Sequence, residues 1–132
     1  MSVGRAIAVL AAGLLLGTLP FWHYATLGTT GDPHADHEPW YGGTLGMAGD
    51  HHVELRRAGG RVEAWVSDAW RRPVRPTAAW AVFDGAARLP LDWERNRLVG
   101  TDVAAARVVE VTASLPDGGQ LAIGFDAGGR SR

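Results

Sequence analysis

From Trp40 to Phe125 the apolar positions recur at every second residue in short runs cut by turn-forming residues. His52 to Arg57 alternates through Val53 and Leu55, and Arg61 to Ser67 through Val62, Ala64 and Val66, with Ala58-Gly59-Gly60 as the break between them. Thr77 to Phe83 ends on Asp84-Gly85, a pair favoured in tight hairpin turns. Arg88 to Trp93 alternates through Leu89 and Leu91, and Arg97 to Val99 is a short continuation. Val108 to Leu115 turns at Asp117-Gly118-Gly119 into Gln120 to Phe125, which carries Leu121, Ile123 and Phe125 on one face. A period of two is the mark of a half-buried strand. Six to seven short strands, with turn signals about 8–12 residues apart, predict an all-β fold, an immunoglobulin-like β-sandwich. Only Asp102 to Arg107 leaves room for a helix, and it is too short to change the class.

The N-terminus follows a different pattern. Ala6 to Trp22 is apolar apart from Gly13, Gly17 and Thr18, with Pro20 near its end and Arg5 before it. Counted through Ala25, the run just reaches the length of about 20 residues that a spanning helix needs. Trp22 and Tyr24 stand where interfacial aromatics are expected. Residues 1–25 therefore read as a signal anchor or a cleaved signal peptide, and in both cases Arg5 stays inside while the rest is exported. The expected location is the cytoplasmic membrane with the domain on the periplasmic side, or secretion if the segment is cleaved. Residues 26–39 show no period and form a histidine-containing linker, residues 40–126 the sandwich, and residues 127–132 a frayed tail.

Composition narrows the function. The chain has 132 residues, and about 100 of them lie beyond the apolar run, enough to bury a core without metal or disulfide support. Net charge is −1, with all 13 basic residues Arg, so the basic stripe of a nucleic-acid binder is missing. Without cysteine there is no disulfide, thiolate metal site or thiol nucleophile. Ser67-Asp68 with the histidines is the one imaginable hydrolase set, and no nucleophile motif surrounds either serine. No glycine loop follows a strand and opens a helix to cradle phosphate. The expectation is a non-catalytic protein with no small-molecule substrate.

Four of the five histidines, His34, His37, His51 and His52, fall within 19 residues, interleaved with Asp36, Glu38, Met47, Asp50 and Glu54. Neutral imidazole suits copper, zinc and nickel, and a thioether is a partner for Cu(I). Adjacent strand residues point to opposite faces, so His51 and His52 do not hold one ion together. Val53 and Leu55 define the inward face, which puts His52 and Glu54 outward and His51 inward at the strand end. The candidate metal site is His52 and Glu54, joined by His34 and His37 from the linker, with Met47 as a further ligand and copper or zinc as the ion. The competing reading is a solvated linker beside an ordinary strand start.

A second candidate surface is aromatic and cationic. Arg71, Arg72 and Arg75 fall in a loop broken by Pro73, a residue that prevents regular strand pairing. Such guanidiniums grip an acidic partner or lipid headgroups. Trp65 falls on the face opposite Val62, Ala64 and Val66 and is expected at the surface, and Trp70 precedes the arginines. Trp65, Trp70, Arg71, Arg72 and Arg75 are thus candidate partner-binding residues, in a subunit of a membrane transport or respiratory complex.

The run Gly42-Gly43-Thr44-Leu45-Gly46-Met47-Ala48-Gly49-Asp50-His51-His52-Val53-Glu54-Leu55, followed by Gly60 to Asp68 and Pro73, resembles a small bacterial periplasmic domain. That domain occurs alone behind an N-terminal anchor and at the front of some periplasmic adaptor subunits of heavy-metal efflux pumps. It is similar to the broad group of immunoglobulin-like sandwiches that includes CopC-type copper-resistance and FixH/YtkA-like proteins. The resemblance covers about 35 residues well and singles out His52, Glu54 and Asp68. Tyr41 stands where the pattern carries a histidine before the Gly-Gly pair. The chain lacks the coiled-coil hairpin and barrel of an efflux adaptor. What the resemblance implies is an exported accessory protein in metal, and specifically copper, handling.

Overall fold

Every alternating run becomes a strand in the computed structural model, which describes residues 37–127 and 131, all within the unit Asp36–Arg132. The apolar run of residues 1–25, most of the linker and His34 lie outside the described residues. Among the described residues no helix is long and apolar enough to cross a membrane.

Nine strands form two antiparallel sheets. They are β1 (Thr44–Ala48), β2 (His51–Ala58), β3 (Arg61–Ser67), β4 (Ala78–Phe83), β5 (Ala87–Pro90), β6 (Asp92–Glu94), β7 (Arg97–Thr101), β8 (Val108–Ser114) and β9 (Gln120–Asp126). One sheet has the order β1-β2-β3-β7-β6 and the other β5-β4-β8-β9. Two strands exceed the number read from alternation. β1 escapes the reading because its larger alternants, Leu45 and Met47, lie on the face of Glu54 and His52, while its central inward position is Gly46. The run Arg88 to Trp93 divides at Leu91, where β5 pairs with β4 in one sheet and β6 with β7 in the other. Leu91 is the crossing point, its side chain buried and its N–H donating to the Ala79 carbonyl at 3.0 Å. The stretch from Asp102 to Arg107 is a turn, with the Ala106 N–H bonded to the Val103 carbonyl.

The core is the set of inward alternants from both sheets. Ala79, Ala81 and Phe83 of β4, Val109, Val111 and Ala113 of β8, and Leu121, Ile123 and Phe125 of β9 meet Val53, Leu55, Val62, Ala64, Val66 and Leu98. Burying each larger side chain contributes about 1.5–3 kcal/mol. Gly46 brings β1 close to the other sheet: a Cβ there would lie 2.5 Å from both Ile123 Cδ1 and Ser131 Cβ, and Ser131 itself bridges to Phe125.

The two sheets differ in one respect that matters for the site. β4, β8 and β9 alternate buried and open positions as a half-solvated strand should. β2 is buried continuously over residues 52–55 and β3 over 62–66. Something covers the outer face of those two strands.

Candidate functional site

The cover is the stretch 37–43, which runs over the outer face of β2 and β3 as a strap. Register places two cross-strand rows beneath it, Met47–His52–Ser67 and Leu45–Glu54–Trp65. These side chains face away from Val53 and Val66, as the period of two requires. Sequence reasoning leaves them open to solvent, and here the structure corrects it. His52 is 0% exposed, Glu54 1% and Trp65 9%.

Glu54 fastens the strap. Its Oε2 accepts the Trp40 N–H at 2.7 Å, and its Oε1 accepts those of Tyr41 and Gly43, both at 2.8 Å. Three charge-assisted bonds of this length are strong enough to hold a carboxylate out of water. They also use both of its oxygens, so Glu54 is engaged as an anchor for backbone. Gly43 makes the approach feasible, since a Cβ at that position would run into the Leu55 carbonyl. Above Glu54, the Tyr41 ring stacks on Trp65 at 4.5 Å and 6°. Arg56 adds a bond from Nη1 to the Tyr41 carbonyl at 3.0 Å and lies 5.2 Å from the Trp65 ring. Trp65 is thus covered by the strap, and the partner-binding role expected of an exposed indole does not fit its position.

His52 is held from the opposite side. Its Nδ1 lies 3.1 Å from the Asp68 carbonyl oxygen. A carbonyl only accepts, so Nδ1 carries the hydrogen, and in the neutral ring Nε2 then bears the lone pair. A histidine whose second nitrogen donates to a backbone carbonyl is oriented as metal-binding imidazoles usually are. The His37 ring, on the exposed start of the strap, lies 6.3 Å from the His52 ring at 47°. Two imidazoles on one ion, with bonds of about 2.0–2.1 Å, have centroids about 5–6.4 Å apart. Met47 is the direct cross-strand neighbour of His52 on the same face. His51 lies on the opposite face, beside Ala48, Leu115 and Gln120 at the end of the sandwich. Among the described residues no group of three or more His, Asp and Glu side chains is placed to hold an ion.

Asp68 ties this centre to the arginine loop. Its Oδ1 accepts the N–H groups of Trp70 at 2.9 Å and Arg72 at 3.0 Å, and its Oδ2 accepts Arg72 Nε at 2.8 Å. Burial raises the Asp68 carboxyl, but the Arg72 backbone and side-chain bonds, the Trp70 N–H and the Arg72 charge outweigh it and hold it below the ordinary aspartate value. The turn closes through Arg71 N–H to Asp68 carbonyl and Asp68 N–H to Arg72 carbonyl, both 3.0 Å, with Arg71 at φ 64°. Pro73 makes one isolated bridge to Ser67 instead of continuing the sheet. Arg71 lies 4.3 Å over the Trp40 ring and reaches the Glu38 carbonyl at 3.3 Å. Arg72 and Trp70 are exposed, as is Arg75 beyond Pro73.

Sequence reasoning missed the strap itself. The signal was present in Trp40-Tyr41-Gly42-Gly43, two aromatics followed by glycines that permit close backbone approach. The chain matches no family model, no curated protein and no solved structure.

Proposed function

We propose that this protein is an exported, membrane-anchored and non-catalytic accessory protein, an immunoglobulin-like sandwich that binds copper or a divalent metal through His37 and His52. The observation that carries this reading is the buried His52 ring, oriented by the Asp68 carbonyl beside the His37 ring. The sequence resemblance to the CopC-type and FixH/YtkA-like group points the same way. Met47, across from His52 in register, and His34, outside the described residues, are the further candidate donors.

The donor set favours copper. Glu54 is committed to three backbone N–H groups. The remaining donors are neutral imidazole and thioether, which suit the soft, singly charged Cu(I) better than zinc. Protons compete with metal for imidazole, so affinity should fall as the solution is acidified.

The test is titration of the full chain in detergent micelles. Cu(I) is followed by competition with a chromophoric chelator, and Cu(II) and Zn(II) by calorimetry. One equivalent of Cu(I), weakened at least tenfold by His37→Ala, supports the reading. His37 is exposed, so this variant leaves the fold intact. Absence of stoichiometric binding, or equal binding by the variant, overturns it.

A further inference from the structure

Among the described residues the exposed large hydrophobic side chains are Trp40 at 55%, Tyr41 at 39% and Trp70 at 59%. All three belong to the strap or to the turn after β3. Arg71 joins the two segments, stacked on Trp40 and bonded to the Glu38 carbonyl. Arg72, with its side chain 73% exposed, and Arg75 extend the same turn. The acidic groups nearby are Glu38, Asp68, already bonded to Arg72, and Glu54, whose carboxylate lies beneath the strap and is spent on the Trp40, Tyr41 and Gly43 N–H groups.

We propose that Trp40, Trp70, Arg71, Arg72 and Arg75 form a face that docks on the phosphate headgroups of an anionic bilayer. Indole is the side chain that settles at the headgroup level, and guanidinium pairs with phosphate through two parallel donors. The crevice between Trp40, Trp65 and Arg71 has only about 10 Å³ of free volume, room for about one water. The crevice therefore offers no slot of side-chain size to a protein partner. The strap is also the stretch through which the chain enters the domain, and it follows the apolar run of residues 6–25 after the eleven residues 26–36. This argument rests on the membrane-anchored part of the proposed function and not on the metal. Each arginine at an anionic surface is worth about 1 kcal/mol, so the face binds weakly alone and the anchor supplies effective concentration.

The chain has no cysteine, so a single introduced one is a unique probe. Ala69→Cys beside Trp70, labelled with an environment-sensitive fluorophore, is compared with Ala105→Cys at the opposite end of the sandwich. The full chain is placed in vesicles of phosphatidylcholine with and without phosphatidylglycerol. The expected result is a blue shift at position 69 alone, present only with the anionic lipid. Raising salt from about 0.1 M to 1 M, which shortens the Debye length from about 10 to 3 Å, should remove it. Trp70→Ser combined with Arg75→Ser should weaken it roughly tenfold. An identical signal in both lipids, or a shift indifferent to the double substitution, overturns the proposal. A shift in pure phosphatidylcholine on adding polyglutamate assigns the face to an acidic protein and also overturns it. If the chain fails to partition into vesicles at all, the anchored reading fails. In that case a comparison of its co-sedimentation with excess anionic and excess phosphatidylcholine vesicles at low salt decides the docking face separately, supported by a preference for the anionic lipid and overturned by equal amounts on both.

Discussion

Glu54 and Asp68 are two carboxylates that organise backbone in different settings, one sealed and one at the surface. Glu54 lies under the strap with three N–H donors aimed at it. Replacing it by Gln turns one acceptor oxygen into a donor that faces N–H groups. Glu54→Gln should therefore destabilise the domain by about 2–3 kcal/mol, read from the urea midpoint at unchanged slope. Asp68 is held below the ordinary aspartate value by Arg72 and Trp70, against the opposing effect of burial. A lowered folded value means the ionised form stabilises the fold above about pH 3.9, and the contribution disappears as pH falls through the folded value. The gap in unfolding midpoint between the native chain and Asp68→Asn should be constant above about pH 5 and narrow below pH 4. A gap that widens on acidification would contradict the assignment.

At the level of elements, the strap behaves as a short tenth layer element laid over β2 and β3 without joining their hydrogen-bond ladder. Its seating depends on Gly43, whose missing Cβ lets the backbone meet the Leu55 carbonyl. Gly43→Ala should lift the strap, free Glu54 and expose Trp65, with a red shift in tryptophan emission and loss of about 2 kcal/mol or more. Tyr41→Ala removes the stack on Trp65 and should cost about 1–1.5 kcal/mol beyond area burial. Both variants should impair metal binding more than β8 or β9 substitutions do, because His37 leads into the strap. Elsewhere, Arg57 pins the 102–106 turn through Asp102 and the Val103 and Ala106 carbonyls. Glu63 lies between Arg56 and Arg97 on the outer face, a polar row that β3 supports next to Trp65.

At the scale of the unit Asp36–Arg132, the two sheets share one core. Phe83 and Leu98 come from opposite sheets and are both fully buried. Phe83→Ala should cost about 3–5 kcal/mol and Leu98→Ala about 2–5 kcal/mol. Each should shift a single cooperative transition seen equally by fluorescence and circular dichroism. Separate transitions for the two sheets would contradict a common core. Under the proposed function, Cu(I) at about 100 times its dissociation constant should raise stability by about 2.7 kcal/mol in the native chain and by about 1.4 kcal/mol or less in His37→Ala, whose affinity is at least tenfold weaker.

The strands that can be read directly from the amino-acid order are those whose inward positions carry apolar core residues. β2, β3, β4, β8 and β9 are legible because a half-buried strand must alternate, and the turns at Gly59-Gly60 and Asp84-Gly85 adopt the positive φ their residues allow. The same alternation correctly assigned His52 and Glu54 to the face opposite the core. Tertiary structure alone decided that this face is covered. Period two states which side of a sheet a residue is on, not what lies over it, and the strap has no period of its own. β1 was missed for a related reason, since its alternants Leu45 and Met47 face outward and its inward position, Gly46, gives up its side chain to the approach of Ile123 and Ser131. The division of β5 from β6 at Leu91 likewise follows from which partner strand each half finds. The pairing of His37 with His52 joins residues fifteen apart through a segment whose path is set by Glu54, and only the folded chain supplies that path.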